Sequence, residues 1–456
     1  MPLSPARLRT MLDMLTRQYG VPGAAIAVWA GGELKEAAAG VCNIETKVPA
    51  TAETLFQIGS ITKLYTTALA MQLVEEGKLD LDRPVRKVLP DFAVADEEAS
   101  GTITLRHLLN HTSGIDGDFF KDAGRGEDRI EKYVRLLKDV RQVHPLGAMF
   151  SYCNAGFVVA GRMIEVAAGK GWDKVVRERI SKPLGTPAFS TLPEQAMRHQ
   201  TAIGHVGQPG ALMVTPIAYL AQSNAPAGSM PMAKARDVIA FARMMMNDGV
   251  AANGTPVLSA ESVHRMHSRT VTCPAGMHID AIGLGSFLWD WNGDGHYEVF
   301  GHDGSTIGQA AWLRYHTESE TAVALLTNGG NGKGLADEML REIFSGAAGI
   351  APPEPPVPDA AIKADKARLT GTYGKASGTV EVSLKEGLLV AVHKPAPDFA
   401  ALQGAYAVAL RPVNETLFTG TMPGYTRPAT YHFLEEDAQG RALYLHTGAR
   451  AHRRVA

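Results

Sequence analysis

The chain has 456 residues, 45% of them hydrophobic and 20% charged, and a formal net charge of −2. It is long enough to bury a large core in two or more domains, and its near-neutral balance gives no electrostatic footing for nucleic acid or an anionic membrane surface. Cys42, Cys153 and Cys273 are too few and too scattered for a disulfide framework or a cysteine zinc site, and read as reduced thiols.

No apolar run reaches the length of a membrane span, and Arg7, Arg9, Asp13 and Arg17 interrupt the N-terminus where a secretory signal needs an apolar stretch. The chain as given therefore reads as cytoplasmic. An amphipathic helix is expected over residues 3–19, then a strand over 24–30, a Gly31-Gly32 turn and a returning strand over 33–40. The apolar stretch 54–58 ends at Gly59. Leu64, Ala68, Leu69 and Leu73 follow at helical spacing, which places Ser60 at the N-terminus of an amphipathic helix. Further helices are expected over 129–140, 155–168, 173–180 and 235–247, and strands near 309–316 and 321–327. The late strands would complete a sheet begun by the first hairpin. The fold class is therefore α/β (α+β): an antiparallel sheet flanked by helices plus a helical region, with the site at their junction. Residues 351–358, five of them proline, read as a stiff extended linker. Alternating runs at 379–384 and 388–392 flank a Gly387 turn, and with later strand-like runs they predict a small antiparallel barrel. The domains expected are 1–350, a Pro-rich linker over 351–360, and the barrel over 361–456.

The chemistry begins at Ser60 and Lys63. Three residues apart, a hydroxyl and an amine share one face of a helical turn. A serine hydroxyl is a poor nucleophile at neutral pH, and an amine that can lose its own charge helps take its proton. A helix N-terminus adds free N–H groups that favour developing negative charge. Tyr152-Cys153-Asn154 supplies a phenol that can act as base and an amide that can hold a substrate carbonyl or orient the lysine. His302-Asp303-Gly304 lies ahead of the late strands, followed by Ser305.

Ser-x-x-Lys, Tyr-x-Asn and His-x-Gly in this order resemble the serine β-lactamase and penicillin-binding-protein superfamily, in its class C β-lactamase, esterase and D-peptidase branch. The likeness spans about the first three quarters of the chain and includes residues 21–28, 105–114 and 227–229. Residues 369–373 resemble the start of the lipocalin-like module some members carry. The resemblance implies a Ser60 acyl-enzyme, with Lys63 and Tyr152 as a pair that titrates together and moves the proton. It also implies an oxyanion hole from the Ser60 and Ser305 backbone N–H groups, and Asn154, His302, Gly304 and Ser305 around the substrate. Where β-lactamases and many carboxypeptidases keep a charged lysine, this chain has His302, largely neutral, which argues against strong β-lactam hydrolysis. No metal or organic cofactor is implied.

Several residues read as structural. Asp290 to Gly295 imitates half of an EF-hand loop, but the twelfth position is Gly301 instead of a bidentate glutamate. His107 and His111 are expected to make structural hydrogen bonds, Cys153 to face away from the cleft by alternation, and Met244–Met246 to line core or cleft. Arg450 is a candidate for holding a substrate carboxylate, against a solvated tail formed with Arg453 and Arg454.

Three functions fit. The first is a hydrolase or acyltransferase for esters, amides or D-amino-acid-containing peptides. The second is a penicillin-binding-protein-type thioesterase that releases and macrocyclises nonribosomal peptides presented as thioesters, whose relatives carry a cleft-side loop like residues 117–128. The third is an inactive ligand-binding sensor, against which three intact motifs argue. The partner is a small-molecule or peptide acyl substrate, and the sequence leaves the oligomeric state open.

Overall fold

The computed structural model describes residues 3–208, 210–397, 404–425 and 427–455. Its first helix, Pro5–Gln18, begins where the sequence supplies start signals: the Ser4 side chain accepts the Arg7 N–H, and Pro5 sits in the first turn. Leu8, Leu12 and Leu15 recur at helical spacing and bury one stripe of this helix.

That stripe covers an eight-stranded antiparallel sheet in the order Glu33–Gly40, Gly23–Ala30, Thr321–Thr327, Gln309–His316, Val299–Thr306, Phe287–Trp289, Ala281–Ile282, Val271–Thr272. The first hairpin and the late strands meet as expected, with Ala24 opposite Thr327 and Trp29 opposite Ala322. Strand Gly23–Ala30 is an almost unbroken apolar run because both of its faces are covered. Ala24, Ile26 and Val28 pack with Leu8, Leu12 and, from helix Gly332–Ala347, Leu340; Ala25 and Ala27 belong to the larger core on the other face.

The larger core holds the helical region, including Thr62–Glu75, Arg129–Leu136, Asn154–Ala168 and Ala235–Met246. Two expectations change here. Helix Thr62–Glu75 is not amphipathic: every residue from Thr62 to Met71 is buried, because this stretch runs between the sheet and its neighbours, and only the last turn reaches solvent, at Glu75. The segment expected as one helix over 173–180 is Trp172–Val176 continued by a π turn, Arg177–Ser181, and a last turn that Gly185 closes at φ +69°.

Residues 351–358 have no regular structure. Beyond them a closed eight-stranded barrel runs from Gly371–Lys375 to Arg450–Arg454. Alternate residues such as Val380 and Val382, Leu389 and Ala391, and Val408 and Leu410 fill its core. Glu386 and Gly387, both at positive φ, form the tight turn between its second and third strands. The last barrel hairpin docks beside residues 150–154. The Tyr152 N–H donates to Ala449 O at 2.9 Å, the Ala451 N–H donates to Ser151 Oγ at 3.1 Å, and Val143, Tyr444 and Ala451 share a small apolar cluster.

Candidate active site

Ser60 lies in a 3₁₀ turn, Gly59–Ile61, that leads into helix Thr62–Glu75, one turn earlier than an α-helical start. The tight turn follows from Gly59, at φ +51°, where a β-carbon would sit 2.5 Å from the Ser305 nitrogen. Only glycine lets the chain turn this close to strand Val299–Thr306. A β-carbon on Gly304 would likewise stand 1.9 Å from Ile58 O and 3.1 Å from the Ser60 nitrogen. The Ser60 and Ser305 amides therefore border the same spot.

Lys63 is fully buried, and its Nζ lies 2.9 Å from Ser60 Oγ, 2.8 Å from Asn154 Oδ1 and 2.6 Å from Ala227 O. Burial, and secondarily the charge of Arg450, hold its pKa well below the ordinary lysine value, while Cys153 and Asp118 oppose the shift. Two of its three neighbours can only accept hydrogen bonds. When Lys63 is neutral, its lone pair must face the one neighbour with a proton to give, the Ser60 hydroxyl.

Residues 151–153 run extended into helix Asn154–Ala168, so alternate side chains point opposite ways. Tyr152 and Asn154 line the cleft. Cys153 points away, its Sγ accepting the Gly156 N–H at 3.2 Å, and burial pushes its thiol up to about 11. His111 Nδ1 accepts the Cys153 N–H at 2.9 Å, and His107 completes a capping box with Thr104. Lys63 Nζ stands 4.8 Å from the Tyr152 ring centroid and the Arg450 guanidinium 5.0 Å. Burial raises the Tyr152 pKa, against the lowering effect of Ser60 and Arg450; among the described residues its hydroxyl has no partner at hydrogen-bond geometry.

His302 sits within strand Val299–Thr306, ahead of the two late strands, and is stacked on Phe287 at 3.8 Å between ring centroids. Its Nδ1 meets Asp303 O, and its buried Nε2 has no partner among the described residues. Burial, then the Lys63 charge, hold its pKa at about 3, so the ring is neutral. Ser60, Tyr152, Asn154, His302, Gly304 and Ser305 line one cleft of about 380 Å³, whose far wall is Gly448, Ala449 and Arg450 of the barrel.

The beta-lactamase family model matches residues 8–348, about three quarters of the chain. The chain belongs to the beta-lactamase family. Family members of this kind are serine hydrolases. Penicillin-binding protein 4 of Amycolatopsis lactamdurans is 41% identical over 383 residues, covering 83% of this chain and all of that protein. A crystal structure of SurE is similar over 99% of both chains, with 29% identity and a TM-score of 0.79; one of SurE with D-Leu gives 27% identity and a TM-score of 0.77 over the same shares. The D-amino acid amidase of Ochrobactrum anthropi SV3, complexed with L-phenylalanine amide, shares the fold at 24% identity and a TM-score of 0.60, over 73% of this chain and 95% of that one.

The barrel gives this beta-lactamase-family cleft residues that lie far from the motifs in sequence. Arg450 is not part of a solvated tail: its Nε lies 2.7 Å and its Nη2 3.0 Å from the Asp118 oxygens. Arg454 also turns inward, donating to Ala442 O and Thr370 O. Asp118 is the residue that sequence reasoning passed over. It was visible only as one acid in the cleft-side loop 117–128, and its partners Lys375 and Arg450 lie hundreds of residues away. Burial opposes its charge, yet Arg450 and Lys375 outweigh that and hold its pKa below the usual carboxylate range. In the EF-hand-like loop Asp290 accepts the N–H groups of Gly293, Asp294 and Gly295, and Glu298 those of Trp291 and Asn292. Among the described residues, no helix is long and apolar enough to cross a membrane.

Proposed function

We propose that the chain is a serine acyl hydrolase or acyltransferase that works through a Ser60 acyl-enzyme on ester, amide or D-amino-acid-containing peptide substrates. The observation that carries this reading is the buried Lys63 amine, whose hydrogen-bond neighbours among the described residues offer its lone pair one proton, that of Ser60. In the acylation step Ser60 Oγ bonds to the substrate carbonyl carbon and its proton passes to the Lys63–Tyr152 pair. The negative charge on the carbonyl oxygen falls between the Ser60 and Ser305 N–H groups, an interaction commonly worth about 3–4 kcal/mol in the barrier. The pair then protonates the leaving group as its bond to carbon breaks. Water, or an amine in the transfer reaction, attacks the acyl-enzyme by the reverse route. The opposite directions of the two pKa shifts favour Lys63 as the resting base and Tyr152 as the group that relays the proton.

The D-residue class is supported by the relatives whose names carry D-amino acid chemistry and by SurE with D-Leu. On this reading residues 1–350 are the acylating unit, and residues 361–456, beyond the 351–360 linker, wall its cleft. A neutral His302 cannot hold a carboxylate by charge, so a free carboxylate would look to Arg450, which already shares Asp118. The second reading, a thioesterase that releases and cyclises peptides, is favoured by that same barrel wall, which offers a place for a second nucleophile opposite Ser60. Peptidyl thioesters, D-residue amides and simple esters offered side by side, with products weighed by mass spectrometry, separate the two. Free acid alone supports hydrolysis, cyclic product supports the thioesterase, and no turnover of any acyl donor contradicts both.

A further inference from the structure

Asp118 joins two parts of the molecule. Toward the barrel, its Oδ2 lies 2.6 Å from Lys375 Nζ and 2.7 Å from Arg450 Nε; toward the catalytic helices, its Oδ1 accepts the Asn154 Nδ2–H at 3.2 Å. Asp116, two residues before it, meets the Ala376 N–H, so the loop and the barrel are fixed at two points. The Asn154 amide has two different ends. A carboxylate can only accept, so it demands the Asn154 NH₂ group and leaves Oδ1 facing Lys63 Nζ at 2.8 Å. If the amide turned over, Asn154 would present N–H to the lysine, and an ammonium would lose one of its three acceptors.

We infer that Asp118 is a positioning residue: it locks Asn154 in the orientation that serves Lys63 and holds Arg450 against the Tyr152 ring, which makes the catalytic site dependent on the docked barrel. The inference rests on the Ser60 acyl-enzyme reading. Neither the Ser-x-x-Lys nor the Tyr-x-Asn motif contains this residue, and nothing in the motif spacing calls for it.

The charges around the lysine give the inference a signature. Around Lys63 stand Arg450, Asp118, Cys153, His111, His302 and Tyr152; around Asp118 stand Arg450, Lys375, Asp116, Tyr133 and Cys153. Burial keeps the cysteine, both histidines and both tyrosines neutral. The nearby anion at Asp118 favours charged Lys63, and the cation at Arg450 opposes it. Removing the anion lowers the lysine pKa, and removing the cation raises it.

The test uses the full chain and an activated alkyl phosphonate fluoride, with the labelling rate of Ser60 followed by intact mass from pH 5 to 10. Asp118→Asn is expected to slow labelling about tenfold at the plateau and to move the acid limb down by about half a pH unit or more. Arg450→Gln is expected to move it up. In the double variant the limb returns toward that of the native chain, because the lost anion and the lost cation shift the lysine in opposite directions. A limb that stays in place in Asp118→Asn, with only the melting temperature reduced, overturns the inference and leaves Asp118 a structural ion-pair partner. If Asp118→Asn does not fold, Arg450→Gln decides: no upward shift overturns it. Failure of the native chain to label at Ser60 is a separate result, and overturns the acyl-enzyme reading instead.

Discussion

Replacing Lys63 by arginine or by methionine separates a base from a charge. Lys63 touches Ser60 Oγ, Asn154 Oδ1 and Ala227 O inside a fully buried pocket. Methionine matches its length but leaves the two carbonyl oxygens without a donor, at about 1–3 kcal/mol each; relief of a buried amine offsets part of that cost. Arginine keeps a positive charge and donors, yet never gives up its proton at accessible pH. If Lys63 takes the Ser60 proton, both variants lose about 10²- to 10⁴-fold in acylation rate, the scale of a positioned base, or about 3–5 kcal/mol in the barrier. The assay is single-turnover acylation by a p-nitrophenyl ester across pH 5–10, with circular dichroism to confirm folding. In the native chain the rate should rise with pH through a pKa well below the ordinary lysine value, since burial disfavours the ammonium. Both variants should lack that limb. A Lys63→Arg chain that acylates within about threefold of the native rate would refute the base assignment and leave the residue an electrostatic one.

Three further outcomes follow from the same geometry. Gly59→Ala, whose β-carbon would press on the Ser305 nitrogen, should cost about 10²- to 10³-fold in acylation by displacing one oxyanion donor; a fully active variant would show that the Ser305 amide takes no part. Cys153→Ser keeps a cap acceptor for the Gly156 N–H and should leave labelling rate and adduct mass unchanged, whereas loss of the adduct would make the thiol the nucleophile. Acid should destabilise the fold through its buried histidines. His302, His267 and His446 have folded pKa values near 3, below the unfolded 6.5, so the unfolded chain binds more protons in that window. Urea midpoints should fall as pH drops from 6.5 toward 3, and less steeply in His446→Gln; equal slopes in the two chains would contradict the buried-neutral assignment.

The sequence exposed most of what is local. The first hairpin and the strands at Gln309–His316 and Thr321–Thr327 carry apolar runs bounded by turn residues, and they form where expected. The barrel was legible from the same alternation around Gly387. The Ser60 helix misled because Leu64, Ala68, Leu69 and Leu73 suggest one apolar stripe, whereas its polar members Thr62, Lys63, Thr66 and Thr67 are buried too, two of them by contacts with carbonyls at 226 and 227. Such contacts join positions over a hundred residues apart and leave no local pattern. Asp118 was hidden for the same reason, since a buried acid paired to Lys375 and Arg450 looks like any loop acid until the barrel is in place.

Everything in this mechanism depends on Ser60 being the acylated nucleophile. Intact mass spectrometry of the full chain after exposure to an alkyl phosphonate fluoride tests it most directly, with peptide mapping to place the adduct and Ser60→Ala as the comparison. One adduct per chain is expected, on Ser60, and none on a Ser60→Ala chain that melts like the native protein. An adduct of equal yield on Ser60→Ala, or one mapped to Cys153, would contradict it.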